Sequence, residues 1–180
     1  MTVRVEIYTT EDLTEGLRTA VTEVCVAAHR EEEFHLMFTK YITGGGRHFL
    51  AYLGDELVSH AVVTTRGVQP VGSPVLRTAF VDAVSTRPEH EGKGYGGATM
   101  RQLAASIDDY EIGCLQTDIP GFYEPLGWEL WRGPLAGRGD DGLIPTPDQR
   151  GVMVLRRPTT PPLDLDGLLT IEPQRHRIWE

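Results

Sequence analysis

The stretch from Phe80 to Met100 constrains the fold more than any other part of the sequence, because three local patterns follow one another there without a break. Residues 80–84 read Phe-Val-Asp-Ala-Val, an apolar run typical of a buried strand. Glycines cluster over residues 92–97, and apolar residues then recur at helical spacing, which predicts a helix over residues 95–109. The stretch therefore predicts a strand, a turn and a helix in series.

Asp82 is the one acid within this apolar run. Moving a carboxylate out of water is costly unless a partner or solvent satisfies it. We therefore expect Asp82 either to be satisfied by neighbouring groups or to open into a wet cleft where chemistry could use it.

The glycine-rich turn has the features of a phosphate site, because glycine lets a ligand approach the backbone and the start of a helix presents free N–H groups. A Walker loop is excluded, since the sequence contains no Gly-Lys-Ser or Gly-Lys-Thr. A dinucleotide fingerprint matches literally as Gly92-x-Gly94-x-x-Gly97, with Asp118 as a candidate ribose ligand. That fingerprint expects its first glycine directly after the strand, whereas residues 85–91 intervene here, so we disfavour it.

Residues 84–88 (Val-Ser-Thr-Arg-Pro) followed by residues 91–96 (Glu-Gly-Lys-Gly-Tyr-Gly) resemble the acetyl-CoA motif of the GNAT N-acetyltransferases, Arg/Gln-x-x-Gly-x-Gly/Ala. Glu91 stands where that family prefers Arg or Gln, which weakens the local potential but leaves the backbone donors in place. The resemblance implies an α/β (α+β) fold with a mixed, mostly antiparallel central sheet flanked by helices, and a V-shaped acetyl-CoA cleft after the central strand. It implies acetyl-CoA as co-substrate, bound by Val84, Ser85, Thr86, Glu91, Gly92, Lys93, Gly94, Tyr95, Gly96 and Gly97.

Length and composition limit the remaining possibilities. A chain of 180 residues with 40% hydrophobic and 24% charged residues is expected to form one soluble domain, spanning residues 1–180. No apolar run approaches the ~18–20 residues needed to cross a bilayer, and the N-terminus lacks a signal-peptide layout, so we expect no membrane partner and a cytoplasmic location. The net charge of −9 argues against nucleic acid and favours a cationic partner. Cys25 and Cys114 are too few for a metal site, and none is expected.

Other segments are assigned from periodicity and from turn residues. Residues 9–12 (Thr-x-x-Asp) are predicted to start the first helix, residues 67–77 to form a loop, and residues 137–141 to form a mobile loop. His60 is expected to be a packed core histidine. The tail over residues 158–180 is expected to dock near the substrate site, with fraying as the alternative. Strands are predicted over residues 3–7, 49–53, 57–63, 76–86, 112–115 and 152–155.

The order of several shorter patterns resembles the aminoglycoside 2′-N-acetyltransferases within this superfamily. The shared features are an acidic and aromatic segment after the first helix, Gly45-Gly46 with His48, Asp82 in its apolar run, Gly127-Trp128, Thr146-Pro147-Asp148, and a Trp near the C-terminus. The resemblance implies transfer of an acetyl group to an amine, with the 2′-amine of an aminoglycoside as the acceptor.

The resemblance also implies catalytic roles. Asp82 would act as general base through a water, or anchor the substrate, since related enzymes carry the longer Glu there. Tyr123, in the pattern Tyr-x-x-x-Gly-Trp, would give or share a proton with the leaving thiolate; the alternative is an aromatic packed at a helix–strand junction. The backbone N–H of Val84 would stabilise the oxyanion.

Acidic residues are the candidates for binding a polycationic acceptor. The segment over residues 31–33 is either a solvated helix end or one wall of a cationic site. Acetylation of another small amine, a polyamine or a protein amine, and a non-catalytic acetyl-CoA sensor, stay open as alternatives, as does homodimer formation. The candidate substrate contacts are Glu32, Glu33, Asp82, Asp148, Trp179 and Glu180.

Overall fold

The computed structural model describes residues 3–174 and 177–179. Within those residues the chain forms ten β-strands and three α-helices. The strands are β1 (Arg4–Thr9), β2 (Arg47–Leu53), β3 (Glu56–Pro70), β4 (Leu76–Thr86), β5 (Ile112–Gln116), β6 (Glu129–Leu130), β7 (Leu135–Gly139), β8 (Gly142–Pro145), β9 (Val152–Arg156) and β10 (Leu169–Ile171), and the helices are α1 (Glu15–His29), α2 (Tyr95–Ala105) and α3 (Pro120–Tyr123). The α/β class with a mixed, mostly antiparallel sheet and helices is as predicted.

The chain divides into two compact units, residues 1–64 with 81–106 and residues 65–80 with 107–180. In the first unit β1, β2 and β3 are antiparallel neighbours, and β4 lies beside β3. The apolar face of α1, including Val21 and Val24, packs with Leu50 and Val62 of the strands. Ala83, near the end of β4, packs against the same cluster, which therefore supports the strand that leads to the predicted phosphate site.

Helix α1 starts later than predicted. The Thr9 hydroxyl donates to Asp12 at 2.6 Å and accepts from the Asp12 N–H at 3.2 Å, so residues 9–12 form a capped turn rather than a helix start. The N-cap is Thr14, whose hydroxyl accepts from the Leu17 N–H at 3.3 Å. Both threonines suit a cap, and the apolar spacing that follows does not by itself choose between them.

The second unit contains β5 to β10 together with residues 65–70 of β3 and 76–80 of β4, and the strands lie in the order β6-β9-β5-β4-β3-β10-β7-β8. β10 pairs with β7 in parallel, while β5 and β9, β6 and β9, β7 and β8, and β10 and β3 are antiparallel. Its core cluster includes Leu76, Phe80, Ile112, Val154 and Trp179. No helix in the described residues is long and apolar enough to cross a membrane.

Several strand boundaries differ from prediction. Residues 67–77 are not one loop, because β3 continues to Pro70 and β4 begins at Leu76. Residues 137–141 are not a mobile loop but part of the β7–β8 hairpin, in which Gly139 pairs with Gly142. Helix α2 ends at Ala105 instead of residue 109. The polar and glycine-rich residues at these strand ends lie in strands because they pair with distant residues, and periodicity does not show such pairing.

Gly151 supplies a specific test of the second unit. It adopts φ 73°, and a Cβ there would lie 1.8 Å from the Thr117 carbonyl oxygen. That backbone is held by the Thr117 N–H donating to the Gly151 carbonyl at 2.9 Å. We expect Gly151→Ala to lower the free energy of unfolding by about 2 kcal/mol or more, measured by urea denaturation.

Gly121→Ala is the matched control, because a Cβ at Gly121 in α3 would meet no heavy atom within 4 Å. We expect it to be neutral or to stabilise by up to about 1 kcal/mol. Equal stabilities of the two variants would contradict the packing described for Gly151.

Candidate active site

The backbone of β4 is irregular near the end of the strand, at a residue whose type does not predict it. Ala83 has φ 49°, a left-handed conformation that costs a non-glycine residue roughly 1–3 kcal/mol. We call this residue with its neighbours Asp82 and Val84 the Ala83 kink. Asp82 is half-buried and has interactions with neighbouring groups. A strained residue within a strand is retained when surrounding contacts fix it, and here those contacts are identifiable.

Side chains of neighbouring elements hold the carbonyl groups around the Ala83 kink. The Ala83 carbonyl accepts from His60 Nδ1 at 3.0 Å and from Ser85 Oγ at 3.1 Å, so both of its lone pairs are used. Ser59 Oγ donates to the Ser85 carbonyl at 2.8 Å. These bonds fix the backbone of residues 83–85, which includes Val84 and Ser85, two of the residues that the family resemblance assigns to acetyl-CoA binding.

The glycine-rich turn opens α2 as the sequence predicts. Gly92 and Gly94 have φ 71° and 86°, and Gly94 is the N-cap, with no side-chain cap among the described residues. A Cβ added to either glycine would meet no heavy atom within 4 Å, so space is open on the loop. The first-turn N–H groups of α2 therefore form an uncapped, partly positive helix terminus next to an open loop, which suits a phosphate.

Arg101 is a candidate phosphate-binding residue beside this loop, and the sequence analysis did not identify it. A Cβ on Gly97 would lie 3.5 Å from both Nη1 and Nη2 of Arg101, so the guanidinium lies over the first turn of α2. Arg101 is exposed. The available signal was its position four residues after Gly97, since residues at i and i+4 share one face of a helix.

Other loop side chains have different surroundings. Lys93 Nζ donates to the Glu89 carbonyl at 2.7 Å, and Glu91 is exposed. Tyr95 meets His90 edge-on, with ring centroids 5.7 Å apart. Potential ligand atoms of Glu56, Glu89 and His90 lie within 4.8 Å of one another, but both carboxylates are exposed, and such acids commonly approach without an ion. This cluster alone does not indicate a metal site.

Two buried histidines lie behind the Ala83 kink. His48 Nδ1 and His60 Nε2 are 3.0 Å apart, and both residues are 0% exposed. Burial lowers the pKa of His48 to about 4, with a smaller contribution from the positive charge of Arg18. Burial and the neighbouring His48 lower the pKa of His60 to about 3. Both rings are therefore neutral near pH 7.

Cys25 lies beside this pair and is also buried. Its Sγ is 3.7 Å from His60 Nδ1. Burial raises the pKa of the Cys25 thiol to about 12, so it stays protonated and is not a nucleophile.

The acidic segment lies close to the Ala83 kink in the first unit. Glu32 and Glu33 are both exposed and belong to a short 3-10 turn, Glu32–Leu36. Phe34 of this turn stacks on His29 at 4.8 Å between ring centroids. His29 Nε2 in turn lies 3.2 Å from the Val84 carbonyl and 3.0 Å from Ser85 Oγ. A single stacked pair thus links the acidic turn to β4.

Tyr123 lies in the second unit, at the end of α3. It is 5% exposed and packs edge-on against Trp128, with ring centroids 6.2 Å apart. Burial raises the pKa of Tyr123 to about 12, while a hydrogen bond with Thr117 opposes the rise. The hydroxyl therefore stays protonated throughout the physiological range and can donate a hydrogen bond.

Trp179 and the loop that carries Asp148 lie at a cavity of about 370 Å³ in the second unit. Asp148 is exposed in the loop between Thr146 and Gln149, which both line this cavity. Trp179 also lines it and is 1% exposed. The tail backbone is held by Arg66 Nη2, which donates to the Ile178 carbonyl at 2.7 Å. The cavity lining is Thr146, Gln149, Pro173, Gln174, Arg177, Ile178 and Trp179. Glu180 lies outside the described residues.

The structure distributes the predicted site residues over both units. The first unit holds Asp82, the Val84–Thr86 segment, the glycine-rich loop and the acidic turn. The second holds Tyr123, Asp148 and Trp179.

Comparison with known proteins gives the class of the protein. A family model described as an acetyltransferase (GNAT) domain matches residues 9–131. The chain therefore belongs to the GNAT acetyltransferases, enzymes that transfer an acetyl group from acetyl-CoA to an amine. The resemblance predicted from the glycine-rich loop is confirmed.

Particular relatives extend this result. The aminoglycoside 2′-N-acetyltransferase of Mycolicibacterium fortuitum is 27% identical over 176 residues, which cover 94% of this chain and 89% of that protein. A GNAT family N-acetyltransferase (YhbS) from Escherichia coli, solved in complex with CoA, gives a TM-score of 0.65 at 14% identity, covering 99% of this chain and 97% of that one. A probable N-acyltransferase from Enterococcus faecalis gives 0.60 at 20% identity, and there the match covers 73% of this chain but only 33% of the longer protein.

The buried histidines predict how stability depends on pH. Their folded-state pKa values lie below the ordinary value of about 6.5, so between pH 6.5 and about 4 the unfolded chain binds more protons than the folded one. Stability is therefore lost as the pH falls. We expect each histidine to contribute a loss of roughly 2 kcal/mol between pH 7 and pH 5, measured by urea unfolding.

His60→Asn removes one of the two titrating rings and should reduce that loss by about 2 kcal/mol. Val62→Ala is the control, because Val62 is also 0% exposed on β3 but carries no titrating group, so it should lower stability without changing the dependence on pH. A His60→Asn protein with the wild-type dependence on pH would rule out His60 as the cause.

Proposed function

We propose that this protein transfers the acetyl group of acetyl-CoA to an amine of an aminoglycoside-type antibiotic, at the 2′ position, and thereby inactivates it. The observation that carries the proposal is that a kinked strand, an open glycine-rich loop and an uncapped helix terminus follow one another within residues 82–97. In this proposal both units act as one acetyltransferase domain, in keeping with a family model that spans parts of each.

The donor side of the reaction rests on backbone groups. The pyrophosphate of acetyl-CoA would accept from N–H groups of residues 92–97, and the edge of residues 84–86 would pair with the pantetheine arm. Arg101 adds a positive charge next to the first turn of α2, where the family's preferred Arg or Gln is replaced by Glu91. Backbone donors carry no net charge, so a guanidinium at this place strengthens the binding of an anionic ligand.

Arg101→Gln tests the donor site. We expect about tenfold weaker binding of acetyl-CoA by isothermal titration calorimetry, because a charge-assisted contact with a phosphate is lost. The wild-type affinity should fall more steeply with added salt than that of the variant.

Arg156→Gln is the control for loss of one positive charge, since Arg156 pairs with Glu129 at 2.6 Å in the second unit. It should bind acetyl-CoA like the wild type. Unchanged affinity in Arg101→Gln would remove Arg101 from the proposed site.

The chemistry needs a neutral amine, a polarised thioester and a stabilised leaving group. Asp82, alone or through a water, would take a proton from the attacking nitrogen, since an ammonium has no lone pair to attack. The nitrogen lone pair bonds to the thioester carbon while the carbonyl π electrons move to oxygen, and the N–H of Val84 would stabilise this oxyanion. The carbonyl then re-forms as the C–S bond breaks. An amine that starts as an ammonium loses two protons in all: the first would go to Asp82 and on to solvent before attack, and the second would follow the same route once the C–N bond has formed. Sulfur departs with the bonding electrons.

Tyr123 would stabilise the departing sulfur by hydrogen bonding. A thiol has a pKa of about 8.5, and burial raises that of Tyr123 to about 12, so complete proton transfer to the thiolate would be uphill by roughly 5 kcal/mol. A buried, permanently protonated hydroxyl is instead a good donor to a developing negative charge. We therefore assign Tyr123 the sharing of a proton with the thiolate, and solvent completes its protonation.

The acceptor class rests on charge and on one relative. The net charge of −9 and the exposed carboxylates of Glu32, Glu33 and Asp148 favour a polycation. The 27% identity to an aminoglycoside 2′-N-acetyltransferase over 94% of the chain favours that substrate class over other amines. Trp179 lies at the same cavity as the Asp148 loop and would contribute an apolar surface to the acceptor.

Thiol release from acetyl-CoA, measured against aminoglycosides including kasugamycin, polyamines and lysine peptides, tests the function. We expect turnover with an aminoglycoside. Asp82→Ala and Tyr123→Phe should each lower kcat by about 10²-fold or more, with acetyl-CoA binding retained, because they remove groups that act on the transition state.

Tyr110→Phe and Asp55→Ala are the matched controls. Tyr110 is also 5% exposed and also hydrogen-bonded, to Thr65 at 2.8 Å, while Asp55 is an exposed acid in the β2–β3 turn. Both variants should keep the wild-type kcat. Turnover only with a polyamine or a lysine peptide would overturn the aminoglycoside assignment, and acetyl-CoA binding without turnover would indicate a sensor.

A further inference from the structure

His48 and His60 are buried polar side chains for which the proposed chemistry has no use. Both are 0% exposed in the first unit, on neighbouring strands β2 and β3. Burial of an imidazole costs free energy unless both ring nitrogens are satisfied. The groups that hydrogen-bond to the two rings therefore indicate the role of the pair.

The partners fix the direction of every hydrogen bond in the series. The Ala83 carbonyl can only accept, so His60 Nδ1, 3.0 Å away, must carry the proton. In a neutral ring His60 Nε2 then accepts, and it does so from His48 Nδ1 at 3.0 Å. His48 Nε2 is left as an acceptor for the Thr10 hydroxyl, also at 3.0 Å.

At its other end the series terminates at a backbone group, the N–H of Gly46. The Gly46 N–H donates to Thr10 Oγ1 at 3.0 Å, and the hydroxyl proton has two acceptors within reach, His48 Nε2 at 3.0 Å and the Gly46 carbonyl at 3.3 Å. Because His48 Nε2 carries no proton in this series, we assign the hydroxyl proton to the shorter contact, with His48. We call this series, from Gly46 through Thr10, His48 and His60 to Ala83, the histidine relay. Each member has its partner and its role, so the arrangement is a satisfied network rather than a chance contact of two core histidines.

The relay ends on one particular peptide unit. The carbonyl of Ala83 and the N–H of Val84 belong to the same planar peptide group, and in a trans peptide they point in opposite directions. Holding the Ala83 carbonyl toward His60 therefore aims the Val84 N–H away from the core. This N–H is the one assigned above to the oxyanion.

We propose that His60, oriented by His48 and Thr10, is a positioning residue that sets the direction of the Val84 N–H toward the thioester carbonyl of acetyl-CoA. The inference rests on the proposed function. It offers a reason for the left-handed φ of 49° at Ala83 within a strand, since in this conformation the carbonyl meets His60 at 3.0 Å.

Both rings are held neutral by burial, which is the state that the relay requires. A protonated His60 would carry N–H groups at both nitrogens and could not accept from His48. The two nitrogens lie 3.0 Å apart, so this hydrogen bond is direct and uses no bridging water.

The first experiment uses the wild-type protein and needs no substrate. Long-range ¹H–¹⁵N NMR spectra distinguish protonated from unprotonated ring nitrogens in each of the six histidines. The relay requires the Nδ1–H tautomer in both His48 and His60 at pH 7. An Nε2–H tautomer or a charged ring at His60 would overturn the inference, whatever the protein's activity.

The second experiment separates positioning from packing. His60→Leu removes the donor, whereas His60→Asn returns an N–H at the place of Nδ1. Calorimetric affinities for acetyl-CoA and for CoA, which lacks the acetyl carbonyl, are compared. We expect His60→Leu to lose about tenfold in affinity for acetyl-CoA relative to CoA and about 10–100-fold in kcat, and His60→Asn to recover most of both.

Val62→Ala is the control, a truncation of another 0% exposed side chain of β3. It should lower stability and leave the ratio of the two affinities unchanged. A wild-type ratio in His60→Leu would overturn the inference. If the wild type bound neither acetyl-CoA nor CoA, the proposed function would fall, and the tautomer measurement would still decide whether the relay exists.

Discussion

The peptide unit between Ala83 and Val84 is the constraint on which the candidate site depends. Its carbonyl is bound from the core by His60 and Ser85, and the next two carbonyls are contacted by His29 and Ser59. Because the Ala83 oxygen is bound from the core, the N–H of Val84 in the same trans peptide group is directed the other way. Backbone that would otherwise continue a regular strand is thereby made available to a ligand, at a cost in strain that the side-chain hydrogen bonds offset.

The same principle operates at the start of α2. Gly92 and Gly94 take left-handed conformations that let the chain turn from strand to helix while the first-turn N–H groups stay uncapped by side chains in the described chain. Donors of this kind are pre-oriented, so binding an anion requires little reorganisation. Replacement of the family's preferred Arg or Gln by Glu91 is tolerable for this reason, and Arg101 supplies a positive charge from the next turn.

Local chemistry explains what the sequence could predict. The glycine-rich loop and the acid at position 82 are visible because each contradicts its local context, as glycines before a helix and as a carboxylate in an apolar run. The strands β5 and β9 follow from continuous apolar runs. The β7–β8 hairpin and β10 do not, because Gly139, Gly142 and the proline-rich tail take their strand conformation from pairing with distant residues.

The site residues that the sequence could not give are those whose role is set by distant partners. His60 was predicted to be a core histidine, and its burial is as expected, but its hydrogen bond to Ala83 joins residues 23 positions apart. The left-handed φ of Ala83 has no residue signature, since glycine or asparagine would be the usual choice there. The role of a residue can be predicted from the sequence when the groups that it contacts are near it in the chain, and not when they are distant, as for His60 and Ala83.

The two candidate catalytic side chains, Tyr123 and Asp82, differ in how deeply they are buried, and this difference suits the roles proposed for them. Tyr123 is so well buried that its proton is held tightly, which favours hydrogen-bond donation to sulfur over release of the proton. Asp82 is half-buried, which suits the role proposed for it, because a partly exposed carboxylate can take a proton from the amine through water. A base that keeps access to solvent and a donor that is withdrawn from it are what an amine acetylation near neutral pH requires, because one group must exchange protons during turnover and the other must not.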